Sequence, residues 1–186
     1  MRKTCTALLL ILALGLSCCG AQPSEPASEK APTVSALPET ETDGAPDVAF
    51  TAADREGNTW DESVFAAHSL TMIHFWEPWC GPCVRELPDL ERLYEEYADR
   101  GLLILGVYES TDMERDVDAV LADAGVTYPI LRYSEAFDVF RSGYVPTTVF
   151  VDREGHVVGE GNAADGSLYI GSNSFEGWAE IVEGLL

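Results

Sequence analysis

Residues 70–83 read Leu70-Thr71-Met72-Ile73-His74-Phe75-Trp76-Glu77-Pro78-Trp79-Cys80-Gly81-Pro82-Cys83, and this stretch decides the fold. Its first half, Leu70 to Trp76, is rich in β-branched and aromatic residues and predicts a buried strand. Its second half predicts the start of a helix. Pro82 suits a first-turn position, where a missing N–H costs nothing, and Val84, Leu87, Leu90, Leu93, Tyr94 and Tyr97 follow at helical spacing. Pro88 lies inside that helix and is expected to kink it. Two cysteines three positions apart therefore stand where a strand gives way to a helix.

That placement has chemical content. The first turn of a helix presents amide groups without intrahelical partners, and its dipole favours an anion. Cys80 is thus expected to be a stabilised thiolate, its pKa below the free value of about 8.5. Cys83, one turn further on, is the shielded resolving thiol. One cysteine attacks a disulfide, a mixed disulfide forms, and the second cysteine releases it.

The chain has 186 residues, and its first nineteen read as an export signal, with Arg2 and Lys3 ahead of the apolar run Ala7 to Leu16. That run is too short for a bilayer span, which needs about 20 residues. It ends in Leu16-Ser17-Cys18-Cys19-Gly20, which resembles a bacterial lipoprotein signal with Cys19 lipidated, or Cys18 if the cut falls one residue earlier. Residues 20–45, rich in Pro, Ser, Glu, Thr and Ala, predict a disordered tether. Residues 46–186 have the length of one ordinary domain. Cys5, Cys18 and Cys19 fall in the signal, so this domain holds only Cys80 and Cys83. An exported domain with a single close pair uses it for chemistry rather than for bracing. The net charge is −21, and residues 46–186 contain 27 acidic residues, eight arginines and no lysine. Nucleic acid is a poor partner for such a surface.

Phe50 and Trp60 flank a turn-forming stretch and predict an opening hairpin, followed by a short helical turn ending at Ala67. Further along, the pattern predicts a strand over Leu102–Val107, a helix over Asp112–Asp123, a short strand over Tyr128–Leu131 and a helix over Ser134–Phe140. Thr147–Val151 and His156–Glu160 flank Asp152-Arg153-Glu154-Gly155 as an antiparallel hairpin. A last helix starts from Asn173 with Glu176 as its N-cap pair. Alternating strands and helices argue for an α/β layer fold around a mixed sheet.

The run Phe75 to Cys83, followed by Glu86-Leu87-Pro88, resembles the active-site segment of the thioredoxin superfamily. The tether, the opening hairpin and Gly143-Tyr144-Val145-Pro146-Thr147 resemble its exported TlpA-like and ResA-like redoxin branch. The resemblance implies a thioredoxin-like three-layer fold, a central mixed β-sheet flanked by helices, with an N-terminal β-hairpin extension. It implies a cis Pro146 beside the cysteines, with the Val145 backbone pairing with the substrate chain, and Trp79, Gly81 and Pro82 shaping the motif around Cys80 and Cys83. Phe75 and Trp76 are expected in the core and Glu77 on the surface. The implied activity is protein-disulfide reduction with no cofactor beyond the cysteine pair. The Gly-Pro dipeptide resembles thioredoxin, whose potential is about −270 mV, rather than strong oxidases. The chain is expected to be a monomer on the outer face of the bacterial cytoplasmic membrane, held by its lipid and recharged by an integral membrane donor of cytochrome-biogenesis type. Its clients are exported disulfide proteins, among them apocytochrome c, other thiol proteins or a methionine sulfoxide reductase.

Two positions depart from thioredoxin. His74 stands where thioredoxin carries a buried Asp, and residues 46–186 contain no lysine to partner it. Proton transfer from Cys83 falls to His74, whose unperturbed pKa near 6.5 suits the task, or to Glu109, which resembles an active-site Glu of the ResA-like branch. Two other readings compete. His68, His74, Cys80 and Cys83 have the ligand types for a zinc-binding lipoprotein, without a second close pair. A peroxiredoxin-like thiol peroxidase would want Pro-x-x-x-Thr-x-x-Cys around its cysteine, which is absent here.

Overall fold

The computed structural model describes residues 47–186; the signal and tether expected over residues 1–45, Cys19 with them, lie outside the described residues. The chain opens with a hairpin of β1 (Thr51–Ala53) and β2 (Thr59–Asp61). Its turn is organised by Asp54, whose carboxylate accepts from the Asn58 N–H at 2.7 Å, from Asn58 Nδ2 at 2.8 Å and from Trp60 Nε1 at 3.0 Å. A 3-10 segment, Glu62–Ala67, leads into β3 (Leu70–Phe75), all six residues of which are buried. Next come α1 (Gly81–Tyr97), β4 (Leu102–Tyr108), α2 (Glu114–Ala124), β5 (Ile130–Arg132), a second 3-10 segment Glu135–Phe140, β6 (Thr147–Asp152), β7 (Val157–Val158), β8 (Tyr169–Ile170) and α3 (Phe175–Leu185).

The main sheet runs β5-β4-β3-β6-β7, with β8 also on β6. β3, β4 and β5 are parallel, joined by helical crossovers, while β6 runs antiparallel to β3, β7 and β8. Side-chain alternation along β3 sends Leu70 and Met72 to one face, where Trp76 continues the register, and Ile73 and Phe75 to the other. The first face packs on Leu87, Leu90, Leu93 and Tyr97 of α1, Val117 of α2, and Trp178 and Val182 of α3. Leu87, Leu90 and Leu93 are fully buried, so truncating any one to Ala costs about 2–5 kcal/mol. Among the described residues, no α-helix covers the second face. Phe50 from the opening segment, Phe65 from the first 3-10 segment, and Phe137 and Phe140 from the second supply its apolar cover.

The structure corrects several boundaries. The segment Glu135–Phe140 is a 3-10 turn, too short to be the expected helix. The fifth strand begins at Ile130 rather than Tyr128, since Pro129 has no N–H for the ladder. Strand β7 is only two residues long, because Gly159 adopts φ 93 and turns the chain away. Strand β8 was not anticipated. The N-cap of α3 is Ser174, whose hydroxyl accepts from the Gly177 N–H at 3.3 Å. Asn173 instead accepts from the Ser174 N–H. α1 continues through Pro88 to Tyr97.

Candidate active site

Cys80 is the N-cap of α1, in extended backbone, with Pro82 in the first turn and no acidic residue there. Its Sγ accepts from the Cys83 N–H at 3.2 Å. The amides that begin α1 thus point at the sulfur, the arrangement that stabilises a thiolate when the pair is reduced. Here Cys80 and Cys83 are joined in a disulfide with their Cα atoms 5.3 Å apart. Cys83 is fully buried, whereas Cys80 retains 5% exposure. The sulfur of Cys80 lies 3.6 Å from the carbonyl oxygen of Val145. The Val145–Pro146 peptide bond is cis.

Behind the disulfide lies a buried polar pair. His74, in mid-β3, shares the α1 face with Met72 and Trp76, and Glu86 stands one helical turn beyond Cys83 on the same side of α1. Glu86 is only 3% exposed. Its Oε1 accepts from Trp178 Nε1 at 2.6 Å and from the Asn173 N–H at 2.8 Å. Its Oε2 lies 3.8 Å from His74 Nε2, and neither atom has a hydrogen-bond partner. The other ring nitrogen of His74 is 2.9 Å from Thr148 Oγ1. Burial raises the Glu86 carboxyl to about 7, the Asn173 and Trp178 hydrogen bonds restraining the rise and the nearby Asp89 adding to it. Burial lowers His74 to about 3. His74 is therefore neutral at neutral pH, and its contact with Glu86 is a proximity of two buried groups rather than a salt bridge; 3.8 Å also exceeds hydrogen-bond length.

Glu86 is the buried acid beside the cysteine pair that the sequence reading does not single out. A signal existed. Cys83, Leu87, Leu90 and Tyr97 mark the buried stripe of α1, and Glu86 is an acid placed on that stripe.

Glu77 is the second correction. It was expected on the surface, yet it is 6% exposed, and its carboxylate accepts from the N–H groups of Glu109 at 2.8 Å and Ser110 at 3.3 Å. The loop after β3 is thereby tied to the loop after β4. Trp79 reinforces the link through Nε1, which donates to Ser110 Oγ at 3.2 Å, while its ring stays 62% exposed. Glu109 points its own carboxylate at Arg141, 3.4 Å away, and Arg141 also contacts Asp138 at 3.2 Å. The two relay candidates thus occupy different surroundings, His74 in the interior against Glu86 and Glu109 at an exposed rim.

A cavity of about 420 Å³ opens next to Cys80, walled by Phe75, Trp79, Phe137, Phe140, Tyr144 and Val145 among others. Among the described residues, no group of three or more His, Cys, Asp or Glu is arranged to hold a metal ion. His68 Nδ1 is 2.8 Å from the Val64 carbonyl, so the four zinc-ligand types are not gathered at one point.

Residues 42–159 match the model of the AhpC/TSA family. Thiol-disulfide oxidoreductase ResA of Geobacillus kaustophilus is 31% identical over 115 residues, covering 61% of this chain and 64% of the relative. ResA of Oceanobacillus iheyensis is 33% identical over 89 residues, covering 46% of this chain and 45% of the relative. The chain thus spans less than two thirds of the length of these curated relatives. Among solved structures, a thiol:disulfide interchange protein of the thioredoxin family from Chlorobium tepidum superposes with a TM-score of 0.62 at 22% identity, covering 76% of this chain and 95% of that one. StoA from Bacillus subtilis gives 0.58 at 21% identity, with 74% and 98% covered. These neighbours establish a thioredoxin-like fold. With a cysteine pair at the N-terminus of α1, that fold, and a family match over most of its length, the chain belongs to the AhpC/TSA family.

Proposed function

We propose that this protein is a thiol-disulfide oxidoreductase that reduces protein disulfides through Cys80 and Cys83. The observation that carries the reading is the position of Cys80 Sγ, which caps α1, accepts the Cys83 N–H and lies beside the Val145 carbonyl. In the reduced protein, the Cys80 thiolate attacks one sulfur of a client disulfide. A mixed disulfide forms, and the departing client thiolate takes a proton. Cys83 then loses its proton and attacks Cys80 Sγ, forming the internal disulfide and releasing the client as a dithiol. Two electrons pass from the protein to the client. Glu86, titrating at about 7 one turn from Cys83, is suited to receive the Cys83 proton, with His74 beside it. The cysteine pair is itself the redox group, so the reaction calls for no cofactor. The relatives named thiol-disulfide oxidoreductase support this assignment.

The reading extends to place and partners. The signal-like segment through Cys19 and the polar tether favour a lipid-anchored protein on the outer face of the cytoplasmic membrane. There an integral membrane dithiol donor of cytochrome-biogenesis type recharges it, and exported thiol proteins, apocytochrome c or a methionine sulfoxide reductase oxidise it. Loss of membrane association and of acyl labelling in Cys19→Ala tests the anchor, with labelling retained there but lost in Cys18→Ala moving the lipid by one residue.

The activity is tested by insulin-disulfide reduction with dithiothreitol as donor. Cys80→Ser is expected to abolish turnover, and Cys83→Ser to accumulate a mixed disulfide with its client. Undiminished turnover in Cys80→Ser would refute the assignment.

A further inference from the structure

We propose that Ser142 and Thr147 are positioning residues: their hydroxyls hold the Tyr144 backbone so that the N–H of Val145, along with its carbonyl, is aimed at the client chain beside Cys80. The proposal rests on the oxidoreductase reading, with the Val145 backbone meeting the client, and adds the side chains that keep that backbone in place. Three observations lead there.

The first is a closed circuit of hydrogen bonds. Ser142 Oγ accepts from the Tyr144 N–H at 3.1 Å and lies 2.7 Å from Thr147 Oγ1. Thr147 Oγ1 donates to the Tyr144 carbonyl at 2.8 Å, and Ser142 Oγ lies 3.1 Å from the same oxygen. A hydroxyl has one hydrogen to donate. A single circuit uses each hydrogen once: the Tyr144 N–H to Ser142, the Ser142 O–H to Thr147, and the Thr147 O–H back to the Tyr144 carbonyl. Both polar backbone groups of Tyr144 are thereby satisfied by two side chains.

The second is what the circuit is fixed to. Thr147 is 1% exposed and opens β6, between Phe75 of β3 and Ile170 of β8. Its β-branched side chain has a restricted χ1, so its hydroxyl is a fixed point. Ser142 reaches it across a turn at Gly143, whose φ of 80 lies in the left-handed region. An added Cβ at Gly143 would meet nothing within 4 Å, so the backbone conformation rather than lack of room calls for glycine.

The third is what the circuit leaves over. Along Tyr144 to Thr147, the Tyr144 groups are held by the two hydroxyls. Pro146 has no N–H, its carbonyl accepts from the Gly171 N–H at 2.9 Å, and Thr147 belongs to the ladder. Among the described residues, the Val145 N–H has no partner, and the Val145 carbonyl lies 3.6 Å from Cys80 Sγ. One residue thus offers both a donor and an acceptor, which is what a hydrogen-bonded rung of an antiparallel ladder requires. The Tyr144 carbonyl and the Val145 N–H belong to one planar peptide unit, so anchoring the first sets the direction of the second.

The test uses the reduced, full-length protein and three substrates. Two are mixed disulfides of 2-nitro-5-thiobenzoate, one with a short peptide and one with the same peptide N-methylated at the residues flanking its cysteine; the third is hydroxyethyl disulfide. N-methylation removes the donors that the Val145 carbonyl would accept. The wild type should favour the unmodified peptide in kcat/KM by about three- to tenfold, as expected for one net hydrogen bond. In Ser142→Ala, and in Thr147→Val, which keeps the shape of the buried side chain, that ratio should fall toward one. Hydroxyethyl disulfide has no peptide group to pair and should slow far less than the unmodified peptide. Thr147→Ser keeps the hydroxyl and should keep the ratio. A ratio preserved in either variant lacking the hydroxyl, a ratio lost in Thr147→Ser, or equal slowing of the peptide and hydroxyethyl disulfide overturns the proposal and leaves the oxidoreductase standing. A wild type indifferent to N-methylation, with exchange intact, does the same. No exchange with any substrate overturns both.

Discussion

Glu86 Oε2 faces His74 Nε2 across 3.8 Å of protein interior, and each atom is otherwise unpartnered. Burial moves the two groups in opposite senses along the pH scale, raising the acid and lowering the base. Both are neutral over the same range, and each leaves its own trace in the pH dependence of stability.

For Glu86, the folded state holds its proton up to about 7, whereas the unfolded chain releases it near the ordinary value of 4.5. Its favourable contribution is therefore complete below 4.5 and is lost as pH rises to about 7. Glu86→Gln keeps an oxygen for Trp178 and Asn173 and removes the titration. Denaturant unfolding of oxidised protein should show the variant gaining on the wild type by up to about 3 kcal/mol across that window, then levelling off. A difference curve flat between those pH values would contradict the buried carboxyl.

For His74 the sign reverses. The unfolded chain takes up a proton below the ordinary 6.5, while the folded protein resists protonation down to about 3. Stability is lost through this group as pH falls across that interval. His74→Asn should gain on the wild type toward acid, on the order of 4 kcal/mol by the lower limit, whatever constant offset its packing adds. Acid-unfolding midpoints of the two proteins provide the check.

Trp178 restrains the Glu86 pKa through the hydrogen bond from Nε1. Trp178→Phe deletes that donor while keeping most of the apolar bulk, so the Glu86 carboxyl should titrate higher than in the wild type. Carbon-13 NMR of labelled glutamate resolves the change. An unchanged or lower midpoint would show that the hydrogen bond does not control the proton.

Proton removal from Cys83 should slow when Glu86 cannot accept it. In Glu86→Gln, the mixed disulfide with a peptide client should persist longer, its resolution slowed by between about tenfold and a thousandfold, toward the range of general acid–base catalysis. Attack by Cys80 should change far less. Stopped-flow fluorescence separates the two phases, and equal slowing of both would argue for a general structural effect.

Glu77→Gln leaves one carbonyl oxygen where two backbone amides now converge on a carboxylate. A cost of about 1–3 kcal/mol is expected, together with faster amide exchange at Glu109 and Ser110. Thermal unfolding and hydrogen exchange read the two effects independently.

The strand-to-helix passage from Leu70 to Tyr97 was legible because its apolar residues keep one period and then another, and the two cysteines fall at the change. Glu77 and Glu86 were not legible in the same way. A Glu between Trp76 and Pro78 reads as solvated, and its burial depends on amides 32 and 33 residues away. The partners of Glu86 lie 87 and 92 residues along the chain. Local pattern carries no information about contacts at that range. The cover of the second sheet face failed to show for a different reason. Phe137 and Phe140 are spaced as a helix would space them, but the six-residue segment closes as 3-10 turns. Strand β8 is a Tyr-Ile pair ahead of Gly171, too short for any periodic signal.

That short strand has a consequence for visiting chains. Thr147 and Thr148 are flanked by Phe75 and His74 of β3 on one side and by Ile170 and Tyr169 of β8 on the other, and Gly171 donates its N–H to the carbonyl of Pro146. From its first residue, β6 is already walled in by the protein's own backbone. A foreign polypeptide finds no free edge at Thr147 and Thr148, and the backbone that lies beside the sulfur of Cys80 is the stretch before Pro146.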